Sequence, residues 1–141
     1  LNNYIGKWMK HGEWYPDKKV RLWKKGCAKW GGSIPHETVL FNPDLKTTHI
    51  PLDILHITHQ SIDEHILKSS KYAILSTDEV WLKSAGSLWF KLLFSGVFRF
   101  FKSLFLLGGI LDGWRGIVGA GITSIGVTYK YWLALERKVN T

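Results

Sequence analysis

Residues 88–104 read LWFKLLFSGVFRFFKSL, and this stretch decides the class of fold. Its only charges are Lys91, Arg99 and Lys102. With Lys91 as origin and 100° per residue, Ser95 falls at about 40°, Arg99 at about 80° and Lys102 at about 20°. Polar residues therefore form one narrow stripe, and Trp89, Leu93, Val97, Phe100, Phe101 and Leu104 cover the remainder. That spacing predicts a helix from Ser87 to Leu107 with a basic edge and a wide aromatic face, the pattern of a helix lying in a membrane interface. The uncharged runs fall short of the ~20 residues needed to span a bilayer.

To the C-terminal side, residues 108–113 (GGILDG) read as a turn. A second helix follows from Trp114 to about Lys138, uncharged from Gly116 to Tyr129 and ending in Lys130, Tyr131, Trp132, Arg137 and Lys138. Gly116, Gly119, Gly121 and Gly126 permit close backbone approach. The aromatic and basic end suits a headgroup boundary. The expectation is a helical hairpin set into one leaflet.

To the N-terminal side the composition changes near Ser84. Residues 1–83 hold all six histidines and nine of the eleven acids, whereas residues 84–141 carry seven Lys or Arg against Asp112 and Glu136. Two units are expected, 1–83 and 84–141. In the first, Val20–Trp23 reads as a short strand, Trp30 to Pro35 as a loop, and Asp53 to Thr58 as a second strand. Ser61-Ile62-Asp63-Glu64 has the form of a capping box and predicts a helix from about residue 62 into the seventies.

A chain of 141 residues builds one core of useful size. The +8 formal charge implies an anionic partner. The single cysteine, Cys27, excludes an internal disulfide and reads as a small semi-buried side chain. Lys18, Lys19, Arg21, Lys24 and Lys25 alternate with Trp14, Tyr15 and Trp23, which suits a sugar-phosphate or lipid-phosphate better than a nucleic acid, since no nucleic-acid motif frames them. No Gly-rich phosphate loop and no nucleophile elbow occurs. His56 and His59 have H-x-x-H spacing, but on a strand they face opposite sides, so a closed zinc site is not expected. One histidine joining carboxylates from elsewhere around a divalent cation fits better.

The residue singled out for catalysis is Glu37, at the end of Trp30-Gly31-Gly32-Ser33-Ile34-Pro35-His36-Glu37. A lone carboxylate on a turn of two glycines and a proline can be held at the mouth of a site as a base. On spacing alone, a solvated surface glutamate is the stronger reading.

Taken in order, Trp14-Tyr15-Pro16-Asp17, Arg21-Leu22-Trp23, Trp30-Gly31-Gly32 with Pro35-His36-Glu37, Ile54-Leu55-His56, Lys71-Tyr72-Ala73 and Leu111-Asp112-Gly113-Trp114-Arg115-Gly116 resemble the C-terminal half of bacterial family 2 glycosyltransferases. The group containing the lipopolysaccharide-core glucosyltransferases is the most similar. The resemblance implies an α/β, GT-A-like acceptor half followed by amphipathic membrane-interface helices. It implies inverting transfer from a nucleotide-sugar donor to a lipid-linked glycan acceptor, with Glu37 as base. Arg21, Trp23, Trp30, Gly32 and His36 would lie along the substrates, and His56 would help hold Mg or Mn, whose main motif lies outside this chain. It also implies a place on the cytoplasmic face of the bacterial inner membrane and no nucleic-acid partner.

The family's nucleotide-binding βαβ half and Asp-x-Asp motif do not occur in these 141 residues. The chain is therefore expected to be part of a longer enzyme and inactive alone. The alternative expectation is a non-catalytic membrane-interface protein that uses the basic helical hairpin.

Overall fold

A computed structural model describes residues 1–32 and 37–140. It combines short strands with long helices, an α/β composition in the coarse sense. Strands β1 (Asn2–Tyr4) and β2 (Lys7–Met9) form an antiparallel hairpin. Ile5 and Gly6 between them both have positive φ, 48° and 78°, as a two-residue type I′ turn requires. A β-branched residue in that region is strained. Ile5 is held there by its N–H on His59 O at 2.9 Å and by Arg115 Nε donating to its carbonyl at 3.0 Å. Strands β3 (Ala28–Gly31) and β4 (Thr38–Phe41) form a separate antiparallel ladder. Strand β5 (His56–His59) adds parallel to β1, giving the order β2-β1-β5.

Helix α1 (Ile62–Leu75) begins where the capping box predicts. Ser61 Oγ accepts from Glu64 N at 3.1 Å, but Glu64 reaches one residue further back than the motif specifies, accepting from Gln60 N at 2.6 Å. Helix α2 (Ala85–Phe101) runs into a π-helical turn over Lys102–Leu106. A 3-10 turn at Gly109–Asp112 then leads to α3 (Trp114–Val139). Gly108 and Gly113 bracket that turn with φ of 69° and 72°, values that favour glycine.

Helices α2 and α3 are antiparallel. Leu88 meets Tyr131 and Ala134 in the buried cluster with Val80. Further along α2, Gly96 lies against Ser124 and Thr128, so closely that an added Cβ would clash with Thr128 Oγ1. The α3 glycines permit close approach as expected, and to partners beyond α2. Gly116 abuts Gly109, Gly119 the Trp14 ring and Gly126 the Ser69 side chain on α1. Among the described residues no helix is long and apolar enough to cross a membrane.

Several local expectations change. Val20–Trp23 is irregular and joins no ladder; β propensity makes a strand only where a partner edge exists. Trp30 and Gly31 belong to β3 rather than to a loop, because Leu40 lies over the bare Gly31 Cα and closes the ladder there. Cys27 is exposed, not semi-buried.

The polar stripe of α2 does not form a free outer face. Lys91, Ser95 and Arg99 are half-buried along the seam with neighbouring elements, with Arg99 Nη2 2.8 Å from Glu13. Trp89, Phe90, Phe94 and Phe98 are each more than half exposed. Leu104, placed by helical spacing on the wide apolar face with Trp89 and Leu93, is buried, whereas those two are exposed. Contacts cross the compositional change near Ser84: Arg99 meets Glu13, Gly119 the Trp14 ring, and Asp112 the backbone N–H groups of Lys10 and His11.

Candidate functional site

The β3–β4 register pairs Trp30 with Val39 and Gly31 with Thr38. The ladder ends there: Gly32 has a φ of 97°, and Glu37 immediately precedes β4. Glu37 lies two residues before Val39, the partner of Trp30, so Glu37 and Trp30 stand at the same end of the ladder. Trp23 brings its ring edge-on to Trp30, with centroids 6.1 Å apart and planes at 75°. Trp30 is 58% exposed, and both Arg21 and Glu37 are exposed. Glu37 makes no hydrogen bond or ion pair with the other described residues. The turn that delivers the chain from Trp23 to β3 is closed by Cys27 N on Lys24 O at 3.0 Å, with Gly26 at φ 85°. That turn projects Lys24 and Lys25 into solvent. Glu37, Trp30 and Gly32 thus gather at one end of the β3–β4 ladder, where Trp23 packs against Trp30, with Arg21 two residues from Trp23. His36 lies outside the described residues.

His56 lies on the other sheet. Its Nδ1 is 3.1 Å from Asn2 Oδ1 and 3.2 Å from Thr58 Oγ1, and that hydroxyl donates to Asn2 Oδ1 at 2.8 Å. An imidazole already engaged through Nδ1, one amide and one hydroxyl do not suit Mg or Mn, which take carboxylate and water oxygens. Among the described residues no group of three or more His, Cys, Asp or Glu is placed to hold a metal ion. These residues do not fit a divalent-cation site by themselves, and no chemical step is assigned to one.

Two polar clusters escaped the reading of the sequence. In the first, the His59 and His65 rings stack at 4.3 Å with 21° between planes, enclosed by Tyr4 and Trp14. The Tyr4 hydroxyl lies 3.1 Å from His65 Nδ1. Burial first, then the neighbouring His59 and Lys68, lowers the His65 pKa to about 4. His59 is lowered by the same leading cause. The spacing of these histidines carries no motif, because a strand end, a cap and a helix bring them together.

His65 titrates near 6.5 when unfolded and near 4 when folded, so the unfolded chain binds more protons between those values. Its stabilising contribution is full above pH 6.5 and is lost as pH falls towards 4. On the order of 2–3 kcal/mol should disappear between pH 7.5 and 4.5. Urea midpoints at the two pH values should separate strongly in the parent chain and less in His65→Phe; equal separation would remove His65 as the cause.

In the second cluster, Asp112 is 4% exposed. Its Oδ2 accepts from the backbone N–H of Lys10 at 3.0 Å and of His11 at 2.8 Å. Its Oδ1 faces Lys7 Nζ at 3.6 Å and His11 Nδ1 at 3.5 Å. Lys7 Nζ also donates to the Asp112 carbonyl at 2.8 Å. Asp112 and Arg115 therefore fasten the helical part to the β1–β2 hairpin, a structural role for the 111–116 motif. No protein-family model matches the chain, and no solved structure matches it.

Proposed function

We propose that the chain is the acceptor-side part of an inverting family 2 glycosyltransferase of GT-A type, seated on the cytoplasmic face of a bacterial inner membrane. The observation that carries this reading is the pairing of Trp30 with Val39, which brings Glu37, two residues before Val39, to the end of the ladder that holds Trp30, with Trp23 against the Trp30 ring. An exposed indole offers a flat apolar surface to the C–H face of a sugar. A carboxylate at the same end of the ladder can take the proton from an acceptor hydroxyl as that oxygen attacks the anomeric carbon of a nucleotide-sugar and the nucleotide leaves. One displacement inverts the anomeric centre. The ordered motifs from Trp14 to Gly116 support the same reading.

Its test is transfer from a labelled nucleotide-sugar to a lipid-linked glycan by the enzyme encoded in the whole reading frame. The product should carry the anomeric configuration opposite to the donor. Retention of configuration, or no transfer with any donor, would overturn the assignment.

The second reading, a membrane-interface protein without catalysis, is favoured by the outer face of α2. Trp89, Phe90, Leu93, Phe94, Val97 and Phe98 are all more than half exposed on one helix, with Lys91 and Lys102 along one edge. An apolar face rimmed by cations binds anionic lipid surfaces through buried area and charge together. Phe94→Glu with Phe98→Glu should lower partition into phosphatidylglycerol vesicles tenfold or more; unchanged partition would remove α2 as the docking element. Both readings share this docking, and only the first requires Glu37.

A further inference from the structure

The hairpin that carries Glu37 is strongly cationic on its approach. Residues 17–30 contain six Lys or Arg against Asp17 alone. Asp17 is already paired with Lys19 at 2.9 Å. Lys18, Arg21, Lys24 and Lys25 are exposed and make no ion pair with the other described residues. Arg21, Lys24 and Lys25 each lie within two residues of Trp23. Lys29, by the alternation of β3, points to the face opposite Trp30. Cations left unpaired around an exposed aromatic pair repel one another, and a bound anion relieves that repulsion.

We propose that this surface selects an anionic saccharide, a sugar bearing a phosphomonoester or a comparable acidic group, with Arg21, Lys24 and Lys25 on the charge and Trp30 under the adjoining ring. The inference rests on the transfer reading only in calling that saccharide the acceptor. Geometry favours a saccharide over the other polyanions. Trp23 and Trp30 meet edge to face, which leaves one open ring for a sugar and no succession of parallel faces for neighbouring bases. A bilayer surface is disfavoured because the exposed Glu37 lies at the same end of the ladder as Trp30. An anionic membrane would repel that carboxylate, whereas a sugar hydroxyl donates to it.

The experiment is calorimetric titration of the whole-reading-frame protein with four probes: maltotetraose, maltotetraose carrying a phosphomonoester, inorganic phosphate, and a ten-residue oligothymidylate. An exposed charge pair contributes a factor of roughly 1.5 to 5 in affinity, so three together should make the phosphorylated sugar about tenfold tighter than the plain one at low salt. Added salt should shrink that preference. Arg21→Gln with Lys24→Gln and Lys25→Gln, all at exposed positions, should reduce it to less than threefold, while Trp30→Ala weakens both sugars alike.

Equal affinity for the two sugars would overturn the proposal, as would a preference that survives the triple substitution. Inorganic phosphate binding as tightly as the phosphorylated sugar would reduce the surface to an anion site, and tighter binding of the oligothymidylate would make it a nucleic-acid surface. Either result overturns it. Charge preference without turnover under any donor would sink the transfer reading and leave this inference standing; turnover without charge preference would do the reverse.

Discussion

Replacing Glu37 by glutamine in the enzyme of the whole reading frame is expected to lower the rate of sugar transfer by about 10² to 10⁴, the range supplied by a positioned general base. Glutamine keeps the size and one carbonyl acceptor of the side chain but cannot take a proton. Glu37 is exposed and makes no hydrogen bond or ion pair with the other described residues. The substitution therefore disrupts no contact within the described chain, and the folded protein should keep its melting temperature. Affinities for both substrates should stay within a few-fold of the parent. Turnover within threefold of the parent would remove Glu37 from the reaction. Lost substrate binding with lost turnover would make it a binding residue instead.

Removal of the Asp112 carboxylate should produce the largest loss of stability. Asp112→Ala strips the acceptor from two backbone N–H groups, of Lys10 and His11, in a site where the carboxylate is almost wholly enclosed. Leaving buried donors unsatisfied costs about 1–3 kcal/mol each. Lys7 loses its counter-charge and the His11 ring its carboxylate neighbour, although both side chains are roughly 40% exposed and can recover water. The sum should be about 3 kcal/mol or more, within the range seen when one partner of a buried pair is deleted. The urea midpoint reads this directly. Asp112→Asn should fall between the two, because its carbonyl can serve one N–H while its amide repels the other. A midpoint for Asp112→Ala within about 0.5 kcal/mol of the parent would show that the β1–β2 hairpin is not fastened through this residue.

The helices were legible in the sequence because their signals are local. The Ser61 cap, the 3.6-residue periodicity after Lys91 and the Gly108–Gly113 turn each need only neighbouring residues, and all three appear where the pattern placed them. The strands were less legible because pairing is remote. Asn2–Tyr4, with two asparagines, is a strand because Lys7–Met9 pairs on one side and His56–His59, more than fifty residues on, pairs on the other, while residues 20–23 have the better propensity and find no partner. Periodicity also identified the polar stripe of α2 without telling which side neighbours would cover. Glu13, forty residues and more from any helix signal, draws Arg99 into the seam.

Part of the site was legible for the same reason. Glu37 and Trp30 stand out as residue types on a tight turn, but their meeting at one end of a ladder depends on the pairing of Trp30 with Val39. The His59–His65 stack was hidden altogether. One ring comes from a strand end and the other from a helix, and the aromatic walls come from Tyr4 and Trp14, so no spacing rule links them.

The most direct test of the account is where the acceptor glycan touches the protein. Cross-saturation from acceptor ring protons should be strongest at the Trp30 and Trp23 indoles and at the Glu37 side chain, and should vanish at Trp30 when plain competitor sugar is added in excess. Signals confined to α2, or to the sheet that carries His56, with Trp30 and Glu37 unaffected, would contradict the assignment of the β3–β4 hairpin as the acceptor face.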